Sequence, residues 1–179
     1  MPMRHFVLAA SLVAGLTATP VFAESVPLLQ ATVTTKNAAA ARGAQRVPVL
    51  SIAFAVPCGA DIPLHSLTLK HKGQGDTRDF ESVYAFINGK RVTRATGAFT
   101  NGEITLRARG LSLPKCSTTT LDVLSSISTD AAVEGLHSFE LLSVDTAGAA
   151  DLKIMAASAP SFASVKAGQT HDGITVEIL

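Results

Sequence analysis

The sequence predicts an all-β, antiparallel sandwich with little helix, preceded by a segment that is not part of the fold. Three observations lead there. Short runs of alternating apolar residues recur along the chain; two Asn-Gly pairs sit between such runs; and helix signals are scarce. Alternation with period two places every second side chain on one face of a strand. A strand with one apolar face must bury that face against another layer.

The elements follow in order. Met1–Ala23 opens with Arg4 and His5, continues through apolar Phe6–Leu16, and ends Pro20-Val21-Phe22-Ala23. That pattern is a secretory signal peptide cleaved before Glu24. Residues 24–45 hold an N-terminal strand, Leu28–Thr35, in which Leu29, Ala31 and Val33 alternate, then an Ala-rich linker over Asn37–Gln45. The sandwich proper is expected over 46–179. Leu50, Ile52, Phe54 and Val56 share one face of its first strand. Ile62 and Leu64 share one phase and Leu67 and Leu69 the other, so a bulge is expected at His65-Ser66.

Asn88-Gly89 and Asn101-Gly102 each fit a two-residue type I′ turn, which needs positive φ at both central positions. The first turn sets Ile87 opposite Lys90, Phe86 opposite Arg91 and Ala85 opposite Val92. The second sets Phe99 opposite Ile104 and Gly97 opposite Leu106. Val83, Ala85, Ile87, Val92, Phe99, Ile104, Leu106 and Ala108 then form core. Tyr84 and Phe86 lie on the other face, where Arg91 is placed to stack on Phe86. Leu121 and Val123, Phe139 and Leu141, and Ile174, Val176 and Ile178 mark later strands. Ser128–Gly135 reads as one helical turn, capped by Thr129 or Asp130 and stopped by Gly135.

The chain has 179 residues and a formal charge of +1, so net charge gives no strong attraction to nucleic acid or membranes. Beyond the signal segment no apolar run is long enough to span a bilayer. A secreted, periplasmic or cell-surface location follows from the signal. In an oxidising compartment, Cys58 and Cys116 read as one disulfide. The alternatives are a catalytic thiol, which needs a positioned His, and a zinc site, which lacks local CxxC spacing. No GxSxG, SxxK or HExxH pattern occurs, and neither an enzyme nor a cofactor is expected.

Candidate sites are few. His65 and His71 flank one strand with Asp61 nearby and are metal candidates; His137 and His171 have no local partners at ligand spacing. Asp76 and Asp79 are calcium candidates in a Gly-rich turn, though Asp and Gly are also ordinary turn residues. Lys70, Lys72 and Arg78 surround one turn, Lys90, Arg91 and Arg94 the next, and Arg107 and Arg109 follow. They form either a cationic rim for anionic ligands or a strand edge protected from aggregation. The strand Val26–Thr35 either pairs within its own sandwich or reaches a neighbour's edge.

From about Arg46 to Val144 the chain resembles the immunoglobulin-like β-sandwich modules of secreted bacterial and archaeal surface proteins. The residues that carry the resemblance are Val47–Phe54 as first core strand, Leu64–Leu69 as an "sLtl" strand and Gly73-Gln74-Gly75-Asp76 as a "GtGD" turn. Val83–Phe86 with Asn88-Gly89 resembles a strand ending in a "dG" turn. Gly110–Leu113, Thr120–Val123 and Gly135 resemble the later strands and the Gly before the last hairpin. The resemblance implies an immunoglobulin-like fold and a surface or extracellular structural role, with no catalytic residues. The functional expectation is a non-enzymatic structural or adhesion-type protein whose partner is a protein or glycan at the cell surface, or a second copy of itself. The alternatives are a fibre or matrix subunit built by N-terminal strand donation, and a periplasmic glycan-binding or glycan-active protein.

Overall fold

The computed structural model describes residues 26–36, 39–132, 135–156 and 163–165. The signal peptide, its cleavage point, His171 and the strand expected near Ile174–Leu179 lie outside them. The strands are β1 (Leu28–Thr35), β2 (Val47–Val56), β3 (Ile62–Lys72), β4 (Phe80–Ile87), β5 (Lys90–Arg91), β6 (Glu103–Leu113), β7 (Ser117–Ile127), β8 (Gly135–Asp145), β9 (Asp151–Ala156) and β10 (Ala163–Val165), with a 3-10 turn at Thr77–Asp79. One sheet has the order β5-β4-β7-β2-β1-β9 and the other β10-β8-β3-β6. Strand pairs are antiparallel except β1 with β9, which run parallel. The antiparallel β-sandwich is the observed architecture.

The inward rows explain why the sheets face each other. Leu50, Ile52, Phe54 and Val56 of β2 meet Leu121 and Val123 of β7 in one sheet. They close on Leu64, Leu67 and Leu69 of β3, Ile104 and Leu106 of β6, and Phe139 and Leu141 of β8 in the other. Each large side chain removed from water in this way contributes about 1.5–3 kcal/mol before entropy is charged against it. The bulge expected at His65-Ser66 is present: the β3–β6 register shifts between Leu64 and Ser66. It lets Leu64 and Leu67, which are out of phase, both point inward with at most 1% exposure.

The first Asn-Gly hairpin has the expected register, with Phe86 opposite Arg91 and Ile87 opposite Lys90, and φ is positive at both turn residues. The stacking partners differ from expectation. Arg46 covers the Phe86 ring at 5.0 Å, and Arg91 lies over Tyr84 at 5.8 Å. Tyr84 is buried on the outer face, because the loop before β2 folds over it and Gln45 Oε1 accepts from Ser126 Oγ beside it. At the second turn only the tip forms, where Thr100 bridges Glu103. Gly97 does not reach Leu106. Thr93 pairs with Ala108 and Thr96 with Val83, so this segment crosses from the edge of one sheet to the edge of the other. Gly97 backs against Glu81, whose carbonyl oxygen would lie 2.4 Å from any added Cβ.

Two further points concern the ends of the described fold. β1 belongs to the sandwich, between β2 and β9, with Leu29 and Ala31 fully buried; the N-terminal strand is inserted in its own sheet. The described part of Ser128–Gly135 is a turn and not a helix: Ser128 Oγ accepts from the Asp130 amide, and Gly135 begins β8. The Ala132 amide is spent on Asp79 Oδ1 at 2.6 Å, tying the segment to the 3-10 turn.

Cys58 and Cys116 are joined, with Cα atoms 4.4 Å apart and a sequence separation of 58. The bridge links the loop before β3 to the turn between β6 and β7. Closing a loop of that length removes unfolded-state entropy worth about 4 kcal/mol. The double variant Cys58→Ser/Cys116→Ser should lose roughly that much stability in urea unfolding; a loss below about 1 kcal/mol would contradict the assignment.

Candidate functional site

The chain's concentrated polar chemistry is inside the sandwich, at the pole opposite the disulfide. His71 continues the inward row Leu67–Leu69 of β3, and His137 continues the inward row Leu141–Phe139 of β8, so both imidazoles enter the core by strand periodicity. His71 Nε2 and His137 Nδ1 are 2.9 Å apart. His137 Nε2 faces Asp79 Oδ2 at 3.2 Å. That second contact is close but poorly aligned for a hydrogen bond, and neither atom has another partner. Asp79 Oδ1 holds the Ala132 amide, and its backbone carbonyl accepts from Ser128. The result is a chain Asp79–His137–His71 in which Asp79 and His137 are buried and His71 is half-buried.

Its surroundings explain its chemistry. Phe80 packs edge-on to His137 at 4.7 Å and to His71 at 5.8 Å, and Phe139 lies 5.5 Å from His71. Phe99 closes the box beyond His71 at 6.4 Å. A Cβ on Gly75 would fall 2.1 Å from the His137 ring, and one on Gly135 would fall 2.7 Å from Nε2. Those two glycines are therefore required by the imidazole they enclose. His137 is 2% exposed. Burial, with His71 adding to it, pushes its pKa down to about 4 against the pull of Asp79 and Asp76. Burial also lowers His71 below its ordinary value, opposed by the same two carboxylates. A water-sized crevice lined by Lys36, Ala40, Ser125 and Phe139 reaches His137.

The sequence-derived candidates are rearranged by the fold. His65 is exposed on the outside of β3 while His71 points inward, and Asp61 accepts from the Lys115 amide at 3.0 Å, so these three do not converge. Asp76 is half-exposed and paired with Arg78 at 2.6 Å, whose hydrogen bonds hold its carboxyl at about 2. Asp79 is buried against His137. The two calcium candidates thus point into different environments. Among the described residues no group of three or more His, Cys, Asp or Glu side chains is arranged to hold a metal ion.

No family model matches the chain, and no curated protein matches it. Among solved structures, the chain is similar to the seventh ScaB type I cohesin from Pseudobacteroides cellulosolvens. The TM-score is 0.42 and the identity 13%, covering 80% of this chain and 94% of that one. At that level nothing about the other protein's partners transfers.

The basic residues divide into two groups. Lys70 pairs with Glu103 at 3.7 Å, Lys72 with Glu140 at 3.0 Å and Arg78 with Asp76, so half of the expected rim is neutralised by its own neighbours. Lys90, Arg91 and Arg94 are exposed on the crossing segment. That segment lies against β6, where Arg94 donates its amide to Arg107 and Arg109 donates to Val92. Arg107 and Arg109 are exposed there as well. Among the described residues none of these five cations is ion-paired to a carboxylate.

The His137 environment makes stability depend on pH. An unfolded histidine takes its proton near 6.5, whereas folded His137 does so only at about 4. Between those values the unfolded chain holds the extra proton, so stability falls as pH falls through the window and is insensitive to this group above it. Urea unfolding should show a loss of about 2 kcal/mol between pH 7 and pH 5, before ordinary carboxylates titrate. An unchanged midpoint over that range would show that His137 is not held neutral by the fold.

Proposed function

We propose that this chain is a non-enzymatic, adhesion-type β-sandwich protein of an oxidising, extracytoplasmic compartment, and that it holds an anionic partner on the corner where β5 and β6 meet. The observation that carries the reading is the cationic margin of Lys90, Arg91, Arg94, Arg107 and Arg109. The whole chain is nearly neutral, with 15 Lys and Arg against 14 Asp and Glu, so five cations on one corner without a carboxylate partner among the described residues are a local excess. Backbone pairing of Thr93 with Ala108 holds the two cationic strands side by side. Arg91 is further ordered by its seat over Tyr84, which reduces the side-chain entropy lost when an anion binds.

The disulfide supports the compartment, since such bridges persist where thiols are not kept reduced. Assembly by donation of Val26–Thr35 has no comparable support: β1 is paired on both sides within its own sheet, and Leu29 would have to leave the core. Exposed arginines recognise carboxylate or sulfate groups well because the guanidinium fork offers paired donors. A uronate-bearing or sulfated glycan presents such groups repeatedly along one line, matching cations strung along one edge.

Retention on a heparin column and binding of polygalacturonate at low and high salt test this. Binding should occur at low salt and weaken steeply as salt rises. The variant Arg91→Ala/Arg94→Ala/Arg107→Ala/Arg109→Ala should bind roughly thirtyfold more weakly, at about 0.5 kcal/mol per exposed contact. No binding at low salt, or equal binding by the variant, would overturn the assignment.

A further inference from the structure

The histidine pair has no part in the cationic corner, and its geometry sets a rule for how many protons it holds. In the neutral state one tautomer pattern satisfies the chain of contacts. His137 carries its proton on Nε2 toward Asp79, and its bare Nδ1 accepts from His71 Nε2–H across 2.9 Å. His71 Nδ1 is then the free basic nitrogen. A first added proton goes there and leaves both contacts in place. A second must go to His137 Nδ1. That would set two N–H donors against each other across the 2.9 Å gap, with two positive rings in one aromatic box.

We propose that Asp79–His137–His71 is a two-proton latch, in which one proton is absorbed without change and the second frees the Gly73–Asp79 turn from the start of β8. The elements that separate are those the chain ties together. Gly75 donates to the Leu136 carbonyl at 2.9 Å, Gly73 lies so close that an added Cβ would sit 2.3 Å from the same oxygen, and Asp79 holds Ala132 and Ser128. Asp79 and Asp76 both favour charge on the pair, but neither restores the acceptor lost between the two rings. Asp76 is engaged by Arg78, and Lys36 lines the crevice beside His137 with a further positive charge. On β3, β6 and β8 the flanking Lys70–Glu103 and Lys72–Glu140 pairs lie on the outer side of the sheet. Glu134 lies outside the described residues. The disulfide closes the far pole, so opening is local to the histidine end.

Histidine-ring NMR and amide exchange on the intact protein between pH 7 and pH 3.5 test the latch. His71 should titrate first, with the Gly75 and Ala132 amides still protected. Protonation of His137 should then accelerate exchange at Gly75 and Ala132 at least about tenfold over the intrinsic rate change, while Ile52 and Leu121 of the β2–β7 ladder stay protected. Both rings charged with Gly75 and Ala132 unchanged would refute the proposal, as would simultaneous loss of protection at Ile52 and Leu121. The variant His71→Gln supplies a side-chain amide that can flip, donating to neutral His137 and accepting from the charged ring. It should titrate at His137 without opening; opening like that of the unaltered protein would also refute the latch.

Discussion

A buried carboxylate and a buried imidazole, with a second, half-buried imidazole beside them, lie between two apolar sheets, and one pole of the sandwich is arranged around that fact. Burying polar groups costs free energy unless they satisfy one another. Here the satisfaction is partial: the His71–His137 contact is well formed, and the His137–Asp79 contact is close but misaligned. The surrounding backbone is fitted to the ring to keep even that much. Gly75 and Gly135 leave no space for a side chain against His137, and Asp79 spends its remaining oxygen and its carbonyl on the turn at 128–132. The 3-10 turn, the turn after β7 and the first residues of β8 meet there because each contributes to enclosing one side chain.

The other pole is closed by different chemistry. The Cys58–Cys116 bridge, with the Cys116 amide on the Pro57 carbonyl, ties the β2–β3 loop to the β6–β7 turn. β3 spans the distance between the two closures, roughly 33 Å at the usual rise per residue. A covalent closure is indifferent to mild acid, whereas an imidazole closure is not. The molecule therefore has one permanent end and one titratable end, with apolar rows between them that respond to neither. The cationic corner lies along the side, where the crossing segment joins the edges of the two sheets.

Much of this was legible in the sequence, and the limits are physical. Alternation located β1, β2 and the inward faces of β3, β7 and β8. The first Asn-Gly pair set its hairpin because a type I′ turn leaves one register. The second set only its tip, because Gly97 is drawn to the Glu81 carbonyl, a contact no local rule contains. β9 and β10 went unread: β9 is a short run whose Ile154 and Met155 are partly exposed, and it pairs in parallel with a strand over a hundred residues away. The Asp79–His137 pairing likewise joins residues far apart in sequence. One signal for it was present. His71 and His137 both fall on the inward phase of otherwise apolar rows, and a polar residue at such a position needs a buried partner. The division of the basic residues into paired and unpaired sets depended on cross-strand neighbours such as Glu103 and Glu140, which only the register supplies.

The most direct measurement is the nitrogen-15 spectrum of the His137 imidazole at neutral pH. The contacts require a neutral ring protonated on Nε2 toward Asp79, with Nδ1 bare and accepting from His71. Shifts showing that tautomer would support the central arrangement. A ring protonated on Nδ1, or one already charged at pH 7, would contradict it, because the 2.9 Å contact with His71 would then lack its acceptor.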